Sequence, residues 1–239
     1  MIKINNNFSV FKLYATKTSV LDWFIPTAYE HYEGKVPFFY TETKGNTSYI
    51  DLSLELEDIL SSMKSNTRNE VRRAIKEGCT FEVNRDYDSF IPFYNDFCKM
   101  KGLDKPTTKE DMLRFKEVVI TIALHERAVL AMHATVIDRE ASVAMLLYSC
   151  SARLEDGVDK KMIGWGNRYL HYKDFEYFKS IGLKRYDWNG VCVDESQPEK
   201  YNIGLFKMAF GGSLVDNIKL DSPARRIALK TMSLFHIKK

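Results

Sequence analysis

The sequence of 239 residues lacks several features that are typical of membrane-spanning, secreted or strongly basic proteins. No stretch approaches the ~20 uninterrupted apolar residues that a membrane-spanning helix requires. The N-terminal segment MIKINNNFSVFKLY lacks the continuous apolar core of a signal peptide, so we expect a cytoplasmic protein. Because the net charge is only +3, contact with a nucleic acid or a membrane would have to rest on a local patch.

Cysteine is scarce and is not arranged for metal binding. The four cysteines, Cys79, Cys98, Cys150 and Cys192, are far apart and form no CxxC pair. The histidine spacing adds no ligand set, so we expect no bound metal and reduced, mostly buried thiols. Disulfides or a zinc site are the alternative.

The composition is that of a globular protein with enough apolar material for a buried core. Apolar residues make up 45% of the chain, charged residues 28% and aromatic residues 13%. After an aromatic-rich start, residues 65–78 predict a helix, with Ser65 as its cap candidate and Gly78 as its C-terminal glycine, and Asp88 is the expected cap of the next helix.

The hydrophobic period changes in the middle of the chain. Residues 119–125, 128–137 and 141–149 are rich in β-branched and apolar residues and predict an antiparallel meander of three strands. A long helix follows, and we expect it to open with a glycine turn at 161–166. The order of elements from 88 to 220 is typical of the α+β class and not of a doubly wound sheet.

Three phrases of the sequence resemble the FemAB-type branch of the GNAT acyltransferases. They are YIDLSLELEDILSSMKSNTRNEVRRAIKEG (49–78), GNRYLHYKDFEYFKSIGLKRYDWNG (166–190) and GLFKMAFGG (204–212), in the family's order and spacing. The resemblance implies an α+β GNAT fold, with a mixed, largely antiparallel central sheet flanked by helices. It also implies a reduced GNAT-like half over residues 1–85 and a GNAT acyltransferase domain over residues 86–239.

The resemblance further implies that the acyl donor binds where the sheet splays, beside the strand that ends in LLYS (146–149). A helix N-terminus at the predicted glycine turn would direct backbone N–H groups toward a pyrophosphate, and Lys161 would add a positive charge. The expected donor-binding residues are therefore Leu147, Lys161, Gly164, Trp165, Gly166 and Asn167. The alternative is a glycine turn that only starts the helix.

Acyl transfer from a thioester to an amine requires three kinds of group. The amine must lose a proton, the oxyanion needs a hydrogen-bond donor, and the leaving thiol needs a proton. Tyr148 and Ser149 are the candidates for the last two tasks, and Asp187 and Asn189 are the candidates for the first. The alternatives are a core aromatic residue at Tyr148 and a turn cap at Asp187.

Cations supply the candidates for phosphate binding. Lys207 lies in the last turn of a short helix, where a cation is favourable in any case, but the resemblance implies contact with a phosphate at the active site. Arg68, Arg72 and Arg73 lie close together on a predicted helix. They suit a substrate diphosphate, or they form a solvated face balanced by neighbouring glutamates.

Two further groups carry weaker signals. His133 and His171 are lone histidines on elements with apolar faces, and we expect them to be packed or solvated. The final helix contains no acid and five cations, namely Arg225, Arg226, Lys230, Lys238 and Lys239. This helix could contact the anionic inner face of a membrane or a lipid-linked glycan. The alternative is that it simply packs on its domain.

We therefore expect an acyltransferase with no permanently bound cofactor. Its donor would be acyl-CoA or an acyl-carrier protein, and its acceptor an amine or hydroxyl of a phosphate-bearing envelope or glycan precursor. The chain has no room for the helical arm of the large tRNA-using relatives, which favours the thioester. An aminoacyl-tRNA-dependent transferase of the FemX type and a non-catalytic binding module with the same fold are the alternatives.

Overall fold

The computed structural model describes residues 1–6, 8–103, 105–154, 157 and 159–234. These residues form ten strands: β1 (Ile2–Asn6), β2 (Ser9–Leu13), β3 (Thr27–Glu30), β4 (Thr41–Asp51), β5 (Thr80–Asn84), β6 (Val118–His125), β7 (Ala128–Asp138), β8 (Val143–Ser151), β9 (Arg185–Asp187) and β10 (Ser213–Asp221). They also form seven α-helices: α1 (Leu56–Ser62), α2 (Ser65–Lys76), α3 (Tyr87–Lys101), α4 (Lys109–Leu113), α5 (Lys160–Ser180), α6 (Pro198–Met208) and α7 (Pro223–Leu234). Among the described residues, no helix has the length and apolar character needed to cross a bilayer.

The chain divides into two compact units. The first consists of Met1–Thr47 and Val215–Lys239, and the second of Ser48–Leu214. The predicted division into residues 1–85 and 86–239 was based on the resemblance to a family. The two compact units therefore do not test it. That division stays a prediction.

The first unit contains a small sheet with the strand order β1-β2-β3-β10. Strands β2 and β3 are parallel, and the other two pairs are antiparallel. Its core is rich in tyrosine and comprises Ala15, Tyr29, Tyr32, Tyr40 and Leu220.

The second unit contains a larger sheet with the order β4-β9-β8-β7-β6-β5. Strands β6, β7 and β8 form consecutive antiparallel pairs, which confirms the predicted meander. Strand β9 is parallel to β8 and antiparallel to β4. The predicted α+β class is therefore correct.

Helices cover both faces of this larger sheet. Successive residues of a strand face opposite sides, so His133 and Ala134 of β7 point in opposite directions. His133 contacts Asp174 of α5, whereas Ala134 lies opposite Tyr148, whose ring is 4.6 Å from that of Tyr94 in α3. Helices α5 and α3 therefore lie on opposite faces.

The predicted glycine turn at 161–166 is wrong, because α5 already begins at Lys160. The carboxylate of Asp159 caps the helix and accepts the N–H groups of Lys161 and Met162 at 2.8 and 3.3 Å. Residues 164 and 166 lie inside the helix, where backbone N–H groups bond to the preceding turn. The glycine at 166 has a packing reason instead, because a Cβ there would overlap the side chain of Leu130 on β7.

Two other helical glycines test whether close packing around a glycine contributes to stability. Gly204 of α6 is buried, and a Cβ on it would overlap the carbonyl oxygen of Cys192, so Gly204→Ala should cost about 1–3 kcal/mol of unfolding free energy. The control is Gly164→Ala in α5, where the nearest atom is 3.9 Å away. The added methyl group should stabilise that helix by up to about 1 kcal/mol. Urea denaturation measures both changes, and a stabilising effect at Gly204 would contradict the close approach.

Candidate active site

Strands β8 and β9 part within a few residues of where they meet. They pair at only three positions, which are Val143 with Arg185, Ala144 with Tyr186 and Met145 with Asp187. Strand β9 ends there, while β8 continues to Ser151. The sheet therefore opens beside the segment 146–149, as the resemblance implied.

A β-bulge lies at this opening. Tyr148 lies opposite Ala134 and Leu146 lies opposite Thr135, so Leu147 has no partner on β7. A bulge bends its strand and redirects the local backbone and side chains. Leu147 and the two residues after it are half-buried, in contrast to the fully buried first half of β8.

The structure places Tyr148 and Ser149 on different faces of the sheet. The Tyr148 ring packs against α3, and its hydroxyl lies 3.4 Å from the hydroxyl of Thr107, which supports the core-aromatic alternative. Ser149 lies opposite His133 and therefore faces α5. The two candidates thus do not act from one side of the opening.

Lys207 ties down the loop that follows β9. Its Nζ donates to the carbonyl oxygens of Trp188 and Gly190, both at 2.7 Å. That loop turns sharply, with φ of +51° at Asn189 and +96° at Gly190. Because a lysine ammonium has three donors, one N–H of Lys207 has no partner among the described residues.

The surroundings of Lys207 make it an unusual lysine. Burial lowers its pKa to about 8, and the nearby Asp187 carboxylate opposes this shift. Asp187 is fully buried at the end of β9, and it accepts the N–H of Asn189 at 2.8 Å. The structure therefore brings together three of the predicted residues, Asp187, Asn189 and Lys207.

Sequence reasoning missed a buried polar cluster in the same region. The Nδ1 of His133 lies 2.7 Å from a carboxylate oxygen of Asp174, and its Nε2 lies 3.3 Å from the Oδ1 of Asn167. The ring of His171 lies 4.0 Å from that of His133 and 4.6 Å from that of Trp188. The sequence signal was the spacing of His171 and Asp174, which puts two polar residues on the apolar side of α5.

His171 is held in its neutral form. Burial lowers its pKa far below the ordinary value, and His133 and the positive charges of Lys207 and Arg168 act in the same direction. Neither ring nitrogen has a hydrogen-bond partner within the described part of the chain. The expectation that both lone histidines are packed holds for His133 and His171 alike.

Three members of the cluster could together hold a metal ion. His133, His171 and Asp174 offer ligand atoms within 4.8 Å of one another. However, the two imidazole rings pack against each other, inclined by 31° with their centroids 4.0 Å apart. The Nδ1 of His133 is also already engaged by Asp174. The absence of a metal stays a prediction.

The predicted donor-binding residues of α5 are not arranged as one anion site. Lys161 is exposed in the first turn, whereas Asn167 faces His133. Trp165 contacts the guanidinium of Arg73 at 5.4 Å from its ring centroid. The role of Lys161, Gly164, Trp165, Gly166 and Asn167 stays a prediction, but it can no longer rest on free amides of a turn.

The arginines of α2 are engaged locally. Their partners are the Ser61 carbonyl oxygen for Arg68 at 2.8 Å, the Glu57 carboxylate for Arg72 at 3.9 Å and the Glu77 carboxylate for Arg73 at 2.6 Å. Two of the three partners are glutamate carboxylates, which matches the solvated-face alternative. Binding of a substrate phosphate by these arginines stays a prediction.

A further cation, Arg168, was not predicted. Its Nη1 lies 2.9 Å from the Glu70 carboxylate, and its guanidinium lies 5.1 Å from the ring centroid of Phe206. Burial lowers its pKa, and Glu70 opposes the shift. Because Phe206 precedes Lys207 on α6, Arg168 adds positive charge near the candidate site.

Solved structures with this fold exist. FemX gives a TM-score of 0.66 at 12% identity, covering 81% of this chain and 68% of FemX. The fold is of the FemAB type. The C-terminal domain of a proposed lysylphosphatidylglycerol synthetase from Agrobacterium fabrum gives 0.62 at 13% identity, covering 97% of this chain and 83% of that one. L-PGS from Bacillus licheniformis gives 0.60 at 11% identity, with coverages of 99% and 85%.

These similarities establish the fold, and they confirm that the fold predicted from the resemblance is correct. The chain matches no protein-family model and no curated protein. Activity, donor and acceptor must therefore be argued from the candidate site itself.

Proposed function

We propose that the protein is an acyltransferase with a thioester donor, either acyl-CoA or an acyl-carrier protein. Its acceptor is an amine or hydroxyl of a phosphate-bearing envelope or glycan precursor. One observation carries the proposal: β8 and β9 part at the Leu147 bulge, and the half-buried ammonium of Lys207 holds the loop after β9 with one N–H to spare.

In this proposal the thioester lies in the opening between β8 and β9. The acceptor nitrogen or oxygen attacks the carbonyl carbon, a new bond to the acyl group forms, and the C–S bond breaks. The spare N–H of Lys207 donates to the oxyanion or to a substrate phosphate, and a backbone N–H at the opening is the proposed second donor. Because Lys207 has a pKa of about 8, it is mostly charged near neutral pH.

The proton transfers belong to the remaining candidates. Asp187 lies close enough to Lys207 to affect its pKa, and it is the proposed proton acceptor, with Asn189 holding its carboxylate. Tyr148 and Ser149 are the two candidates for protonating the thiolate. Tyr148 lies on the α3 face of the sheet and Ser149 on the α5 face. The face on which the thiolate leaves therefore determines which of the two protonates it.

An aminoacyl-tRNA donor is the second candidate. The name of the similar Agrobacterium protein describes a lysyl group joined to phosphatidylglycerol, which favours an aminoacyl donor and a lipid acceptor. An aminoacyl ester passes through the same kind of oxyanion, so the proposed role of Lys207 would be unchanged. A cytoplasmic location and contact of α7 with the inner membrane face belong to the same proposal.

Thermal-shift measurements with coenzyme A, acyl-CoA and nucleotide sugars test the thioester proposal. A ligand present at 100 times its dissociation constant adds about 2.7 kcal/mol to the unfolding free energy. Leu147→Arg should remove the effect of acyl-CoA by filling the opening. Leu113→Arg, at an exposed position of α4, should keep it. Both variants must melt like the wild type without ligand.

Other outcomes separate the candidates. No stabilisation by any thioester, together with a salt-dependent gel shift by aminoacyl-tRNA, would replace the first proposal with the second. Stabilisation by a ligand without any transfer would favour a binding module. An equal effect of acyl-CoA on Leu147→Arg and the wild type would place the donor elsewhere.

A further inference from the structure

The first compact unit carries an exposed apolar patch on two loops. One loop contains the 3-10 helix Val20–Trp23 and the two residues after it, and the other precedes β4. The members are large apolar side chains with exposed fractions from 43% to 92%, namely Val20, Leu21, Phe24, Ile25, Phe38 and Phe39. These six residues are called the apolar patch below. Exposed apolar side chains concentrated in this way mark an interaction surface.

The two loops are joined and firmly supported. The ring of Trp23 lies 4.8 Å from that of Phe39, and Trp23 packs against the tyrosine core. The buried carboxylate of Asp22 accepts hydrogen bonds from Lys12 Nζ at 2.7 Å and from the Tyr29 hydroxyl. The apolar side chains are therefore presented by an ordered frame.

Positive charge lies beside these loops. Lys17 and Lys35 are exposed on segments that meet where Gly34 contacts the backbone of Thr16, since a Cβ on Gly34 would overlap the Thr16 carbonyl. Between residues 14 and 40, Glu33 is the one exposed acid. The loops thus carry more exposed positive than negative charge.

Helix α7 extends the same character. It packs against the 3-10 helix, contains no acid, and has exposed cations at Arg226 and Lys230. No residue of α7 is fully buried, and Ile227 is 68% exposed. It is thus a basic, amphipathic helix whose apolar side is incompletely covered within the described part of the chain.

We propose that the apolar patch and α7 together form a docking surface for an anionic lipid bilayer, an inference that rests on the membrane contact of α7 in the proposed function. Aromatic and aliphatic side chains enter the boundary between headgroups and acyl chains, and the surrounding cations meet anionic headgroups. A second copy of this chain is a poorer occupant. Self-association through this surface would set the exposed cations Lys17, Lys35, Arg226 and Lys230 of one copy against those of another.

Vesicle co-sedimentation tests the proposal without any need for turnover. The vesicles contain phosphatidylcholine alone or equal parts of phosphatidylcholine and phosphatidylglycerol, at low and high salt. The wild type should bind the anionic vesicles more tightly, and high salt should bring the two affinities together. Equal affinity for the two compositions at low salt would overturn the proposal.

Two pairs of variants separate the apolar from the charged contribution. Phe24→Ser/Phe38→Ser should weaken binding roughly tenfold for each phenylalanine removed. The matched control is Ile75→Ser/Leu113→Ser, which removes two similarly exposed side chains from the second unit and should leave binding unchanged.

Arg226→Gln/Lys230→Gln should weaken binding to the anionic vesicles roughly fivefold for each cation, and binding to phosphatidylcholine much less. The control is Lys101→Gln/Lys200→Gln, two exposed lysines of the second unit. Circular dichroism and melting temperature must match the wild type. If the double phenylalanine variant misfolds, Phe38→Ser alone, at a side chain 92% exposed, replaces it.

Two results would overturn the proposal at this point. One is binding by Phe24→Ser/Phe38→Ser that equals that of the wild type. The other is a dimer in sedimentation velocity that these substitutions abolish, without vesicle binding by the wild type. The second result would identify the apolar patch as a contact between two copies of the chain.

Discussion

Lys207→Met is expected to lower the turnover of acyl transfer roughly 10²–10³-fold, the usual effect of removing one oxyanion donor. Methionine keeps most of the length of lysine but removes the charge and the spare N–H. Turnover is measured as thiol released from acyl-CoA in the presence of an acceptor. In the wild type the rate should fall as the pH rises through about 8, because the ammonium is then lost. The variant should lack this dependence.

Lys200→Met is the matched control, since Lys200 is an exposed lysine on the same helix. It should leave both the rate and its pH profile unchanged. A rate that instead rises through pH 8 would make Lys207 a proton acceptor. An undiminished rate in Lys207→Met would show that this lysine only ties the loop at Trp188 and Gly190.

The same variant has a consequence for stability that does not depend on any substrate. Between pH 8 and 10.5 the unfolded chain keeps a proton on Lys207 that the folded chain has lost. The unfolding free energy of the wild type should therefore rise with pH across this window, relative to Lys207→Met, by about 3 kcal/mol in total. Urea titrations at both ends of the window measure the difference. Parallel curves for the two proteins would contradict the lowered pKa.

The sheet of the second unit could be predicted because its strands follow one another along the chain. Residues 118–151 alternate between β-branched segments and short polar breaks, so local pattern and tertiary pairing agree. The splay beside residues 146–149 was available only through the family resemblance. Its physical basis, the bulge at Leu147, follows from pairing between strands and has no local signature.

The start of α5 could not be predicted, because a glycine can either form a turn or permit close packing inside a helix. The pattern Lys161-Met-Ile-Gly164-Trp-Gly166 suggested a turn, whereas Asp159 caps the helix before it. The glycine at 166 permits close contact with Leu130, which lies far away in the sequence. The cap of α3 was misplaced for a simpler reason, since Asp86 and not Asp88 accepts the first free N–H groups.

The site was predicted in part. The position of Lys207 near the end of β9 required the resemblance, since a cation in the last turn of a helix is unremarkable by itself. The pair formed by His133 and Asp174 was missed because its members come from β7 and α5 and are joined only by packing. Each residue alone resembles an ordinary polar residue on an amphipathic element.

Breaking this pair is expected to have the largest effect on stability. Asp174→Leu should cost about 3–5 kcal/mol of unfolding free energy, because the Nδ1–H of His133 then remains buried without an acceptor. His133→Leu should cost a similar amount, because it leaves the Asp174 carboxylate buried without its imidazole partner. Urea denaturation followed by circular dichroism measures both.

The double variant His133→Leu/Asp174→Leu distinguishes an energetic pair from two independent core positions. With both members gone, neither leaves the other buried and unpaired, so the double variant should recover much of the stability lost in each single one, apart from the contact of His133 with Asn167. Costs that simply add would contradict the pairing. Recovery would also show that the pair is dispensable for folding, and a loss of turnover in that stable double variant would then assign the pair a part in positioning His171 near Lys207.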